Sequence, residues 1–238
     1  MNPVHILARR EDVAPVALIA GDPGRVKKVA TLLSEARIVN ENRGFLTFTG
    51  YYNGSRVTVA THGIGGPSLA IVVEELYMLG VKTFVRLGTA GSLVEHLKVG
   101  DVIVATGASY LHGGTIGQYV GNSASISTSP EPILTSKIMK KLSDRGVQFA
   151  QGSVFSSDAF YAEDSSFVSR WASLGNIGVE MECATLFALG NMRGLKTAGI
   201  LVVSDELTGE KRWIDRSTLE NRVDQVARAI LEVLAEEE

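Results

Sequence analysis

The chain has 238 residues, of which 45% are hydrophobic and 21% charged, and this composition is that of an ordinary globular enzyme. Its formal net charge of −3 argues against broad binding to nucleic-acid backbones, because such binding requires a clustered cationic face. The one cysteine, Cys183, excludes internal disulfides and metal sites built from several cysteines.

Apolar runs and turn residues predict strands and helices along the whole chain. In chain order, the pattern predicts a strand at 16–20, a helix at 25–33, two strands within 45–61, a helix at 67–79, strands at 83–88 and 101–107, a helix at 131–145, a strand near 147–156, a helix at 165–174, a strand at 176–181, a helix at 182–192, a strand at 197–204 and a helix at 217–235. Strands that alternate with helices indicate a three-layer α/β/α fold, with a mixed, mostly parallel sheet and helices on both faces. No linker or repeat divides the chain, so we expect one domain over residues 1–238.

Several functional classes have no support in the sequence. No apolar segment reaches the roughly 20 residues needed to span a bilayer, and the N-terminus lacks the apolar core of a signal peptide, so we expect a cytoplasmic protein. Nothing matches the P-loop, H-E-x-x-H or G-x-S-x-G motifs, and the run G-I-G-G-P-S at 63–68 departs from the dinucleotide fingerprint. A metal site is not expected.

Two glycine-containing loops have the composition of an anion site. In G-D-P-G-R at 21–25, glycines allow close approach of the backbone, and Arg25 opens a helix whose free amides favour an anion. In R-L-G-T-A-G at 86–91, Arg86 interrupts an apolar run, where an unpaired guanidinium would be costly. Arg86 therefore needs either an anionic ligand or a buried carboxylate, and Thr89 adds a hydroxyl. Arg43 is a third candidate, although alone it would be a solvated loop arginine.

Two carboxylates lie two residues apart where the strand 176–181 meets a helix. In an extended segment Glu180 and Glu182 point to the same side, with Met181 opposite. Like charges so placed repel, so solvent, a cation or a ligand with hydroxyl donors must lie between them. Alternatively, Glu180 caps the following helix, where a carboxylate is stabilised by about 0.3–1 kcal/mol.

Taken in order, the motifs resemble the purine nucleoside phosphorylase family of homo-oligomeric enzymes, which includes 5′-methylthioadenosine phosphorylases and is similar to uridine phosphorylases. The resemblance rests on His5 at the start and on G-D-P-G-R, N-E-N-R-G-F, T-H-G-I-G-G-P-S-L-A-I-V-V-E-E-L, R-L-G-T-A-G, S-D-A-F-Y, V-E-M-E and V-S-D, which together run from residue 5 to about residue 205. It implies transfer of a ribosyl group from a purine nucleoside to inorganic phosphate, which is a co-substrate, with no metal or other cofactor.

The resemblance also implies a role for each candidate residue. Phosphate would be held by Gly21, Arg25, Arg86 and Thr89, with Arg43 from a neighbouring subunit. The nucleoside would be bound by His5 of the neighbour, Phe160, Glu180, Met181, Glu182 and Ser204, and Asp205 would protonate the departing base with Arg86 as the other catalytic residue. If a neighbour completes the site, the smallest active unit is a two-fold dimer, and the resemblance implies a hexamer of three dimers.

The sequence departs from the family at the arginine that assists the acid. The segment after Asp205 does not align cleanly, so Arg212 and Arg216 are both candidates. Thr89 stands where the family often has serine, which keeps the hydroxyl. Three alternatives remain: a nucleosidase of the same fold that uses water, a uridine phosphorylase-type enzyme, and a non-catalytic purine sensor. Three arginines at the anion site favour phosphorolysis, and an aspartate at 205 favours purines over pyrimidines.

Overall fold

The structure is a computed structural model that describes residues 2–121, 124–209 and 212–237. In chain order its elements are β1 (Val16–Ala20), α1 (Pro23–Ala30), β2 (Ser34–Asn40), β3 (Thr47–Tyr52), β4 (Ser55–Thr61), α2 (Gly66–Met78), β5 (Thr83–Ser92), β6 (Val102–Ser109), α3 (Gly114–Val120), α4 (Pro132–Asp144), β7 (Ala150–Ser156), α5 (Ser165–Ser173), β8 (Asn176–Glu180), α6 (Cys183–Arg193), β9 (Lys196–Glu206), β10 (Arg212–Trp213) and α7 (Arg216–Glu237). Within these ranges, no helix is both long and apolar enough to cross a membrane.

The strands form one ten-stranded sheet in the order β10-β9-β6-β7-β8-β5-β1-β4-β3-β2, and a further pairing of β9 with β5 closes five of the strands on themselves. The predicted mixed α/β fold is confirmed. Parallel pairings join β1–β4, β1–β5, β5–β9, β6–β7 and β7–β8, and antiparallel pairings join β2–β3, β3–β4, β5–β8, β6–β9 and β9–β10. Parallel pairings therefore do not outnumber antiparallel ones, because the β2–β3–β4 strands, the β9–β10 pair and the β5–β8 and β6–β9 pairs are antiparallel.

Two apolar cores lie on opposite faces of this sheet. One joins the sheet to α2 and α6, and the other joins it to α1, α4 and α7. Strand β1 contributes to both, since Leu18 points into the second core and the next residue, Ile19, into the first. This alternation places helices on both faces, as the three-layer prediction requires.

The sequence prediction missed three short elements. Strand β2 is an edge strand with mostly exposed side chains, so it lacks the apolar run that marks buried strands. Helix α3 contains two glycines among its seven residues, and β10 has only two residues. Helix α1 begins at Pro23, earlier than predicted, because the side chain of Asp22 accepts a hydrogen bond from Gly24 N and proline suits a first helical turn.

Candidate active site

A cavity of about 420 Å³ lies where β1, β5, β8 and β9 end. Parallel pairing brings these ends together, since Arg86 of β5 is in register with Ile19 of β1 and Gly199 of β9. Ten of the predicted site residues line it: Gly21, Arg25, Arg86, Thr89, Phe160, Glu180, Met181, Glu182, Ser204 and Asp205. The cavity therefore collects residues that are far apart in sequence at one edge of the sheet.

The anion end of the cavity contains two guanidinium groups. Arg25, on the first turn of α1, donates from Nη1 to the carbonyl oxygen of Leu87 at 3.0 Å. Burial and then the neighbouring charge of Arg86 lower the pKa of Arg25 to about 10. Two cations that destabilise each other in this way are stabilised by an anion placed between them. Gly21 is required beside them, because a Cβ there would lie 2.8 Å from the carbonyl oxygen of Gly63.

Arg86 lies between the two glutamates. Its Nη2 donates to Glu180 Oε2 at 3.1 Å and to Glu182 Oε2. Burial acts to lower the pKa of Arg86, but the charges of Glu182 and Glu180 outweigh it and raise that pKa. The group between the acids is thus a cation of the protein, which is one of the three alternatives that the sequence allowed.

Glu180 and Glu182 have different surroundings. Glu180 accepts hydrogen bonds from Ser156 Oγ and from the backbone N–H groups of Glu182 at 2.8 Å and Cys183 at 2.9 Å. It therefore caps the start of α6, as the structural alternative predicted, and its side chain has 0% exposure. Glu182 accepts from Gly65 N at 2.6 Å and from Arg86. Burial raises the pKa of Glu182, and Arg86 opposes the rise.

The opposite end of the cavity contains a buried acid and an aromatic ring. Asp205, at the end of β9, accepts a hydrogen bond from Ser204 Oγ at 2.7 Å, so the serine orients the acid. Gly91 leaves room for that carboxyl group, because a Cβ there would lie 3.0 Å from Asp205 Oδ2. Phe160, in a 3-10 turn, and Met181 line the same cavity.

His5 and Arg43 do not line this cavity. Glu75 anchors the N-terminal segment: its carboxylate bonds to His5 Nδ1 at 2.7 Å and accepts from the backbone N–H groups of residues 4, 5 and 6. Arg43 is exposed, in a 3-10 turn with φ of 54°. The two segments adjoin, since Asn42 Nδ2 donates to the carbonyl oxygen of His5 at 3.0 Å. One surface of the protomer therefore carries both residues, and neither residue lines the cavity of its own protomer.

The two candidate arginines after Asp205 also lie outside the cavity lining. Arg212 faces Glu206 across the β9–β10 ladder, and Arg216 begins α7 and donates to Glu220 at 2.7 Å. The residue in register with Asp205 is Trp213. Side chains directly opposite in an antiparallel pair lie on the same face.

His62 was not among the site residues predicted from the sequence. It follows β4 and is fully buried, and neither ring nitrogen has a hydrogen-bond partner among the described residues. Burial, and then the charges of Arg86 and Arg25, keep its pKa well below the usual value, so the imidazole is neutral. The sequence did contain a clue, because this histidine directly precedes the glycine run at 63–66. Both lie within the longest of the motifs that resemble the family.

The chain is an α/β protein whose candidate site is one cavity. An anion pocket and the paired acids lie at one end of this cavity, and a further buried acid lies at the other end. The sequence matches the family described as the Phosphorylase superfamily over residues 15–235, and the chain belongs to this family. It is 37% identical over 229 residues to a guanosine phosphorylase of Halorubrum lacusprofundi, covering 95% of this chain and 94% of that one. A DeoD-type purine nucleoside phosphorylase of Caldanaerobacter subterraneus subsp. tengcongensis is 39% identical over 210 residues, which are 87% of this chain and 90% of that one.

Solved structures give the same relationship. A purine nucleoside phosphorylase of Toxoplasma gondii in complex with immucillin-H superimposes with a TM-score of 0.89 at 28% identity, covering 99% of this chain and 96% of that one. A uridine phosphorylase of Vibrio fischeri also has a TM-score of 0.89, at 29% identity, with 99% and 98% coverage. The fold is thus shared by purine and pyrimidine enzymes, and the base preference must come from the site.

Proposed function

We propose that this chain is a cytoplasmic purine nucleoside phosphorylase, which converts inosine, guanosine, adenosine or 5′-methylthioadenosine to free purine and the corresponding ribose 1-phosphate. The observation that carries the proposal is one cavity with the guanidinium groups of Arg25 and Arg86 at one end and buried Asp205 at the other. The names of the relatives from Halorubrum and Caldanaerobacter support it. Inorganic phosphate is the co-substrate, and no metal or other cofactor takes part.

Phosphate binds at the end lined by Gly21, Arg25, Arg86 and Thr89. Burial and then repulsion by Arg86 lower the pKa of Arg25 to about 10, and a dianion there relieves that repulsion. Charge-assisted hydrogen bonds from planar guanidinium groups hold a phosphate oxygen in a fixed position. Positioning of this kind converts an encounter in solution into attack within one complex.

The ribose lies between the phosphate and the base, over Met181. Glu182 accepts hydrogen bonds from the 2′- and 3′-hydroxyl groups, while Gly65 N and Arg86 hold its carboxylate in place. Negative charge beside the sugar also stabilises the positive charge that develops at C1′ as the glycosidic bond breaks. Glu180 acts behind this layer, since it bonds Arg86 and the start of α6.

The base lies against Phe160 with its N7 towards Asp205. A phosphate oxygen forms a bond to C1′ as the bond from C1′ to N9 breaks, and the electron pair of that bond passes to the purine. Asp205 donates its proton to N7, which neutralises the leaving base. Ser204, which donates to Asp205 Oδ1, keeps the acid oriented towards the base.

A second copy of the chain completes the site. His5 and Arg43 adjoin on one surface, outside the cavity of their own protomer, and the cavity mouth carries Ile64, which is 75% exposed. Two-fold pairing would bring Arg43 to the neighbour's phosphate and His5 to its 5′-hydroxyl group. The dimer is therefore the smallest active unit, and we propose that three dimers form a hexamer.

A substrate panel tests the proposal. Inosine, guanosine, adenosine, 5′-methylthioadenosine and uridine are incubated with the protein in phosphate buffer, and free base and pentose 1-phosphate are measured by chromatography. We expect equal amounts of purine and ribose 1-phosphate from at least one purine nucleoside, no requirement for a metal when a chelator is present, and little cleavage of uridine. Release of uracil faster than any purine would replace the proposal with a uridine phosphorylase.

A further inference from the structure

A second cavity opens from the base end of the active site. Its volume is about 200 Å³, and it shares Phe160, Glu163 and Asp205 with the main cavity. The four other lining residues are Tyr161, Glu206, Leu207 and Trp213. The two cavities therefore adjoin at the acid that we assign to the base.

Three of the seven residues that line this second cavity are aromatic. Trp213 is 63% exposed and Tyr161 is 99% exposed, and the rings of Tyr161 and Phe160 meet edge to face at 5.2 Å between centroids. Large aromatic groups gain free energy when a ligand covers them. An aromatic partner is thus the chemistry that these walls favour.

The charged lining residues do not all face the second cavity. Glu206 accepts hydrogen bonds from Lys98 Nζ and from Val99 N, each at 3.2 Å, so its carboxylate is engaged by another part of the structure. Asp205 and Glu163 stand at the junction with the main cavity. A ligand group that crosses this junction passes hydrogen-bond acceptors first and aromatic surface afterwards.

We infer that the second cavity is a subsite for an aromatic substituent on the exocyclic 6-amino group of a purine nucleoside. This inference rests on the proposed function, which places N7 of the purine at Asp205. The 6-position is next to N7, so a substituent there extends past the acid into the second cavity.

The size of the subsite suits one aromatic ring. A protein cavity of about 150 Å³ is enough to hold benzene, and this cavity has about 200 Å³. Trp213 is the residue whose loss should affect the subsite most, because its position opposite Asp205 in the β9–β10 ladder places it over the junction. The enzyme is therefore expected to accept N6-benzyladenosine and related N6-aryl nucleosides.

Calorimetric titration of the full-length protein with adenosine and N6-benzyladenosine, without phosphate, tests the subsite. We expect N6-benzyladenosine to bind more tightly, by about two- to tenfold, which is the range for one additional aromatic contact. Trp213→Ala should reduce this ratio to near one, and Trp213→Phe should keep it. A 2-benzylamino derivative of adenosine is the matched control, because C2 lies across the ring from N7, and it should gain no affinity from Trp213.

Weaker binding of N6-benzyladenosine than of adenosine, or a ratio that Trp213→Ala leaves unchanged, would contradict the subsite, as would failure of both nucleosides to bind. The proposed function is measured separately, by phosphorolysis of inosine and guanosine with the same preparation. If neither is cleaved while the benzyl ratio behaves as expected, the reaction is wrong and the subsite stands.

Discussion

Replacing Arg86 by methionine should destabilise the protein by about 3–5 kcal/mol, which is the range for removing one partner of a buried ion pair. The side chains involved are almost fully desolvated: Arg86 is 4% exposed, Glu182 is 6% exposed and Glu180 is 0% exposed. Glu180 and Glu182 do not lose the same share of their hydrogen bonds when Arg86 is replaced. Glu180 keeps its bonds to Ser156 and to the N–H groups at the start of α6, whereas Glu182 keeps its bond to Gly65 N.

The loss of stability in Arg86→Met should depend on pH in a defined direction. Burial raises the pKa of Glu182, and Arg86 opposes the rise, so removal of Arg86 raises that pKa further. The folded variant then binds a proton that the unfolded chain releases above about pH 4.3. Its stability therefore falls as pH rises, and the deficit of Arg86→Met should be smaller at pH 5 than at pH 8.

The assay is urea unfolding of wild type and variants at one protomer concentration, because subunit assembly makes stability depend on concentration. Arg193→Met is the matched control, since Arg193 pairs with Glu74 at the surface and its side chain is 38% exposed. That variant should lose about 1 kcal/mol or less. Adding Glu182→Gln to Arg86→Met should recover part of the deficit. If Arg86→Met loses no more than Arg193→Met at both pH values, the buried pair does not have the role described.

Three further predictions concern the acid, the subunit interface and the buried histidine. Asp205→Asn should lower kcat for purine release by about 10²–10⁴-fold with little change in the phosphate KM; a wild-type rate would refute the acid role. Mixing unfolded Arg43→Ala with Asp205→Asn and refolding them together should restore activity at about a quarter of the sites, whereas no recovery in verified mixed oligomers would contradict a shared site. His62 is neutral in the fold and unfolds to a histidine with a pKa near 6.5, so stability is lost as pH falls below that value; between pH 6.5 and 5 the wild type should lose more stability than His62→Gln, and exposed His96→Gln is the matched control for removing an imidazole. Parallel pH profiles for wild type and His62→Gln would show that this histidine titrates normally.

The sequence predicted much of the site because its signals are local. Gly21 and Arg25 follow an apolar run directly, and Asp205 ends another, so strand prediction alone places them at the edge of a sheet. Parallel pairing of β1, β5 and β9 then brings the three loops together. These residues line one cavity, and the chemical role of each stays a prediction.

What the sequence could not predict depends on distances in space. Arg86 and Glu182 are separated by 96 positions, and no periodicity shows that their side chains meet. The anchor of His5 on Glu75, 70 positions away, is hidden for the same reason. Trp213 lies in a segment without apolar alternation, so only the β9–β10 register places it opposite Asp205.

The most direct test that phosphate is the nucleophile is the rate of purine release from inosine or guanosine as phosphate is varied from none to saturation. Phosphate is first removed by coupling it to a phosphate-consuming reaction, and hydrolysis is followed as free ribose. Phosphorolysis predicts a rate near zero without phosphate, a hyperbolic rise as phosphate is added, and ribose 1-phosphate as the sugar product. Purine release at the full rate without phosphate, with free ribose as the product, would contradict it.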